Sequence, residues 1–100
     1  MDNPQIDIHG TESWKNGWGN YHRLDGPAVT ERGGRMRWYY NGKLHREDGP
    51  AIEFKHWDDK HWFIKGVHIY EIVDGVCLRF EKIPVSLKMS IAIERLKINE

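Results

Sequence analysis

Only one cysteine, Cys77, stands in the chain, so no disulfide can form within it. That favours a reducing compartment. No sign of charge is in excess either. Fifteen basic residues meet 15 acidic ones, for a formal net charge of +0. A neutral chain has no global field to draw it to nucleic acid or to an anionic membrane. No stretch approaches the roughly 20 apolar residues of a membrane-spanning helix. The opening MDNPQIDIHG lacks the basic start and apolar run of a signal peptide. The expectation is a cytoplasmic protein with no membrane partner. Catalytic signatures are missing too. There is no Gly-x-x-x-x-Gly-Lys phosphate loop and no dinucleotide fingerprint, and Ser13, Ser86 and Ser90 lie in no Gly-x-Ser-x-Gly context. No catalytic residue and no cofactor is assigned, and the chain is not expected to be an enzyme.

What is present is aromatic and repetitive. Five Trp, four Tyr and three Phe in 100 residues point to β-structure and contact surfaces. That length bounds a single domain, residues 1–100, burying about two thirds of its unfolded surface. NYHRLDGPAV at 20–29 returns as KLHREDGPAI at 43–52. His22, Arg23, Asp25, Gly26 and Pro27 thus have mates in His45, Arg46, Asp48, Gly49 and Pro50, at an offset of 23, while Trp14, Trp38 and Trp62 are spaced by 24. Two clear units, 15–37 and 38–60, precede a decayed third at 61–81.

Each unit reads as a hairpin. In MRWYYNGKLH an aromatic run meets Asn41-Gly42, whose residues accept the positive φ angles of a type I′ turn. Trp38 and Tyr40 share one strand face and Tyr39 takes the other. Lys65-Gly66 echoes that turn, and Val73-Asp74-Gly75 makes another. Asp48-Gly49-Pro50 marks a corner, because proline cannot sit within a central strand. Gly49 is expected there for its freedom to take a positive φ. Val76, Leu78 and Phe80 alternate with Cys77 and Arg79 in the last strand. The fold class is mainly β: a meander of short antiparallel hairpin repeats over 14–81, with one C-terminal α-helix. That helix is predicted over 85–98, where Met89, Ala92, Ile93 and Leu96 fall at helical spacing. Its apolar face is expected to cap the chain's own sheet, or else to dock on a second copy as a homodimer or on another protein.

Trp-Tyr-x-Asn-Gly-x-x-His-Arg-x-Asp-Gly-Pro-Ala resembles the variant MORN-type repeats, β-hairpin units of a little over twenty residues that stack into an elongated sheet. The version with His-Arg-x-Asp-Gly-Pro-Ala resembles that of small uncharacterised proteins of bacteriophages and other large DNA viruses. The resemblance covers about residues 14–66. It implies scaffolding and protein–protein contact, and suggests a viral accessory protein, in its most concrete form an inhibitor of a host defence protein acting in the host cytoplasm. The first unit, WKNGWGNYH, and the terminal helix depart from the pattern.

The repeated residues are of types that could form sites. His22 and His45, two strands apart, would lie near 10 Å from one another, whereas two nitrogens on one zinc lie within about 4 Å. Cys77 with His68 or His61 shows no recognised ligand spacing, so no metal site is expected. Asp25 and Asp48 would share like environments, unlike an acid and a base. They read as corner residues paired with Arg23 and Arg46. The basic residues Arg32, Arg35, Arg37, Lys43 and Arg46 surround Trp38, Tyr39 and Tyr40, a mixture that can hold a nucleotide or single-stranded nucleic acid. Glu31, Glu47 and Asp48 interrupt that patch. The same residue types serve protein recognition, where Trp, Tyr and Arg dominate binding energy. The leading expectation is therefore a non-catalytic protein-binding module. Its anchors would be Trp38, Tyr40, Trp57 and Trp62, with Arg37 and Arg46 as polar partners, and nucleic acid is the alternative.

Overall fold

A computed structural model describes residues 4–56, 59–79 and 83–98, and among these described residues lie ten short strands and one helix. The strands are β1 (Gln5–Ile6), β2 (Glu12–Ser13), β3 (Val29–Thr30), β4 (Arg35–Arg37), β5 (Tyr39–Tyr40), β6 (Lys43–Leu44), β7 (Ile52–Phe54), β8 (Lys60–Ile64), β9 (Val67–Val73) and β10 (Val76–Arg79). Helix α1 spans Val85–Ile98. Eight strands form one antiparallel sheet in the order β1-β2-β3-β4-β7-β8-β9-β10, and β5-β6 form a separate hairpin. No helix among the described residues is long and apolar enough to cross a membrane. The expected Trp57 and Phe80 positions lie outside the described residues.

Local chemistry makes the turns. Asn41 and Gly42 both have positive φ, 48° and 83°, and so do Lys65 and Gly66 at 50° and 85° and Asp74 and Gly75 at 52° and 81°. Consecutive positive φ angles are the type I′ requirement, which closes two-residue hairpins with the right twist. The β5-β6 hairpin is tied to its neighbours by backbone bonds on both sides. Arg23 N–H donates to the Tyr39 carbonyl and Gly42 N–H to that of Tyr21. Further along, Arg46 N–H donates to the Phe63 carbonyl and Gly66 N–H to that of Leu44. The Ala of each Gly-Pro-Ala extends the main sheet: Trp14 N–H meets the Ala28 carbonyl and Trp38 N–H that of Ala51, both at 2.7 Å. Ala28 and Ala51 are fully buried, which leaves room only for a methyl group.

The larger core lies under the helix. Trp62, Ile69, Tyr70 and Ile72 from β8 and β9 pack with Leu87 and Ile91 of α1, and Ile64, Cys77 and Ile83 close around them. Trp62 meets Tyr70 edge-on, with ring centroids 5.3 Å apart. Beside this cluster Lys60 pairs with Glu94 of the helix at 3.4 Å.

One expectation is corrected here. The helix does cover the sheet, but not through Met89, Ile93 and Leu96, which are 71%, 47% and 65% exposed. At about 100° per residue, Leu87 and Ile91 lie roughly 200° from Met89 and Ile93. The helix therefore carries two apolar stripes, and the sheet takes the one that Glu94 completes. In β10 the expected alternation holds, with Cys77 half-buried. Cys77 packs toward the core, while Val76 and Leu78 are exposed.

Candidate functional site

The two His-Arg-x-Asp-Gly-Pro-Ala stretches build matching corners. In the second, Arg46 Nε donates to Asp48 Oδ1 at 2.9 Å and Nη1 to the Pro50 carbonyl at 3.1 Å. Its guanidinium carbon sits 3.9 Å from the Trp38 ring centroid. In the first, Arg23 Nε donates to Asp25 Oδ1 at 3.0 Å and Nη1 to the Pro27 carbonyl at 3.3 Å, over Trp14 at 4.2 Å. Each arginine is thus held between an aromatic face, a carboxylate and a carbonyl. Arg46 Nη1 also reaches Glu53 at 3.6 Å.

The corner glycines are needed for a reason other than the one expected. Neither Gly26 nor Gly49 has a positive φ. A Cβ on Gly49 would instead lie 2.7 Å from Arg46 Cζ, and one on Gly26 would lie 3.0 Å from Arg23 Cζ. The missing side chain makes space for the guanidinium.

The histidines of the corners serve the neighbouring turn. His22 Nδ1 accepts the Asn41 N–H at 3.0 Å, and His45 Nδ1 accepts the Lys65 N–H at 2.9 Å. Each imidazole therefore satisfies the first positive-φ residue of the next hairpin, a donor that the turn itself leaves unmatched.

Between the corners runs an open groove of about 600 Å³, lined by Arg23, Asp25, Trp38, Tyr40, Arg46 and Asp48 among others. Tyr40 forms one wall. Its ring lies 4.8 Å from that of His22 and 6.0 Å from that of His45, and it remains 48% exposed. A second hollow of about 340 Å³, bounded by Asn41, Lys43 and Lys65, shares Tyr40, His45 and Glu47 with the first. Tyr40 is therefore a ridge with a depression on either side. The carboxylates of Asp25 and Asp48 and that of Glu47 face solvent, with side chains 86%, 87% and 72% exposed.

Of the expected anchors, Trp38, Tyr40 and Arg46 line this groove. Trp62 does not belong with them. It is fully buried in the core under the helix, so it cannot meet a partner. Trp57 lies outside the described residues. Arg37 is not among the lining residues. It donates to the Tyr39 hydroxyl at 3.1 Å and pairs with Glu31 at 3.5 Å.

One further cluster was not foreseen. His61, His68 and Glu71 bring a ligand atom each within 4.8 Å of one another. Burial, then the charge of His61, holds the His68 imidazole below the usual histidine range. Cys77 is not part of it. Cys77 instead pairs in register with Ile72 of the core and hydrogen-bonds Tyr70, whose hydroxyl is pushed up to about 12, mainly by burial.

Comparison with known proteins adds no relative: no family model, no curated protein and no solved structure matches the chain.

Proposed function

We propose that the chain is a non-catalytic protein-binding module whose recognition surface is the Tyr40 ridge with the groove beside it. The observation that carries this reading is how the arginines are used. Arg23 and Arg46 are held inside the corners by Trp14, Trp38, Asp25 and Asp48, and Arg37 is held by Glu31 and Tyr39. Among the described residues the groove has no lysine on its walls and turns three exposed carboxylates outward, while Lys43 and Lys65 line only the smaller hollow beyond Tyr40. That charge disfavours nucleic acid, whose binding rests on phosphate neutralisation. It suits a protein segment that presents lysine or arginine beside an apolar side chain for Tyr40. Tyrosine gives such a site large contact area at small entropic cost. The resemblance to MORN-type repeats of viral proteins supplies the specific form of the reading, an accessory inhibitor that acts by covering a host protein's surface.

The test is affinity capture with the wild type, Tyr40→Ala and Glu47→Lys, read by mass spectrometry. The expected result is one stoichiometric protein partner held by the wild type, released at high salt and lost by both variants at unchanged melting temperature. Capture of nucleic acid alone, or a partner held equally by all three, overturns the reading.

A further inference from the structure

The third unit uses its histidine differently from the two before it. His68 follows His45 by the same interval that separates His45 from His22. His22 and His45 accept an N–H from the next turn, whereas His68 lies within β9 and points its Nε2 at His61 and Glu71. A break in register puts it there. β8 and β9 pair His61 with Glu71 and Trp62 with Tyr70, but then Phe63 with His68, so Ile69 is skipped. In a regular strand, residues 68 and 71 point to opposite faces. The extra residue reverses the alternation and brings His68 to the face that His61 and Glu71 share. Bulges re-aim side chains in this way beside functional sites.

The three atoms form a nearly even triangle. His61 Nδ1 is 3.2 Å from His68 Nε2, His68 Nε2 is 3.3 Å from Glu71 Oε1, and His61 Nδ1 is 3.5 Å from the same oxygen. Nitrogen and oxygen donors at about 2.0–2.2 Å from one ion lie about 2.9–3.5 Å apart, from octahedral to tetrahedral geometry. The observed triangle fits that range without movement. Protons serve it less well. A hydrogen bridges one edge of such a triangle, or two when both nitrogens donate to the oxygen, but a central cation satisfies all three lone pairs at once.

The setting also suits an ion. The side chains of His61, His68 and Glu71 are only 22%, 31% and 17% exposed, on the two longest strands of the sheet. The Phe63 ring stacks on His68, with centroids 4.5 Å apart and planes 8° from parallel. A hydrogen bond between the His68 ring and the Tyr70 backbone further fixes the imidazole. Outer contacts of this kind orient metal-ligating histidines.

We propose that His61, His68 and Glu71 bind a divalent transition-metal ion of the zinc class. Two imidazoles and one carboxylate match the ligand preference of zinc, and three protein ligands leave a coordination position for water or for a partner's side chain. The site is separate from the Tyr40 groove, and neither proposal depends on the other.

The test is calorimetric titration of the metal-stripped full chain with Zn²⁺ alone, for the wild type, His68→Gln, Glu71→Gln and His9→Gln. The expected result is one ion per chain, with affinity unchanged in His9→Gln. Affinity should fall by more than about 100-fold in the other two, because even outer-shell partners are worth 10–100-fold. A second measurement needs no variant. Imidazole resonances of the wild type should shift on Zn²⁺ addition for His61 and His68, and not for His22 or His45. Absence of stoichiometric binding overturns the proposal, as does binding that leaves the His61 and His68 resonances in place. A hydrogen-bonded His-His-Glu cluster without metal affinity would give the first of those results.

Discussion

The Arg46 guanidinium lies 3.9 Å from the centroid of the Trp38 ring and so close to Gly49 that a Cβ there would come within 2.7 Å of it. Trp38, Arg46 and Gly49 therefore form one stack, and the glycine is the floor of it.

Gly49→Ala should accordingly destabilise the fold by about 1–3 kcal/mol, the usual cost of overpacking. The methyl group can enter only if Arg46 leaves Asp48, the Pro50 carbonyl and Trp38. Gly26→Ala should cost less, because its Cβ would sit at 3.0 Å from Arg23. Denaturant melts of both variants check this. An unchanged midpoint for Gly49→Ala would show that the arginine is loosely held.

His45→Ala should cost about 0.5–1.5 kcal/mol, the net worth of one hydrogen bond. The more specific readout is local. The Lys65 amide loses its acceptor at Nδ1, so its hydrogen exchange should quicken more than that of Phe63 on the preceding strand β8. The same comparison for His22→Ala should single out Asn41.

Leu87→Ala should remove about 2–5 kcal/mol, because Leu87 is fully buried between the helix and the sheet. Ile93→Ala should stay within about 0.5 kcal/mol, as substitutions on an exposed face do. Thermal melts of the pair decide which stripe of α1 faces the sheet. Equal losses would contradict the orientation described.

Asp7 sets an acid limit on the β1–β2 turn. The Thr11 and His9 amides donate to its carboxylate at 3.0 and 2.8 Å and hold it below its ordinary value of 3.8, with a smaller contribution from the charge of His9. Its folded form prefers to be ionised. The stabilisation is therefore complete above 3.8 and is lost as pH falls through the lower folded value. Amide shifts of Thr11 and His9 should titrate together in that window, and Asp7→Asn should abolish the titration. A midpoint above 3.8 would reverse the sign.

How much of this was legible in the residues depends on how local the cause is. Asn41-Gly42 and Asp74-Gly75 announce their turns, because positive φ is a property of the residues themselves. The helix was legible for the same reason, since period and the lack of glycine after Pro84 are local. Its buried face was not, because Leu87-Ile91 and Met89-Ile93 are equally apolar and only the sheet chooses between them. Trp38 and Trp62 occupy like places in their units, yet one lines a groove and the other fills the core, since the helix covers only the last unit. The role of Gly49 depends on where a distant guanidinium comes to rest. The His61-His68-Glu71 cluster depends on one skipped residue, Ile69, and no spacing rule for regular strands could find it.

The corner described above has a consequence for size. His22, Arg23 and Tyr21 join the following hairpin through the same bonds that His45, Arg46 and Leu44 make to theirs. Nothing in either junction counts how many hairpins have come before. A further copy of residues 38–60, spliced in register, would find both of its junctions already specified. What sets the number is the C-terminal side, where the bulge turns the third histidine aside and the helix closes over Trp62. Growth is open-ended in the pattern and is halted by the bulge in β9 and by helix α1.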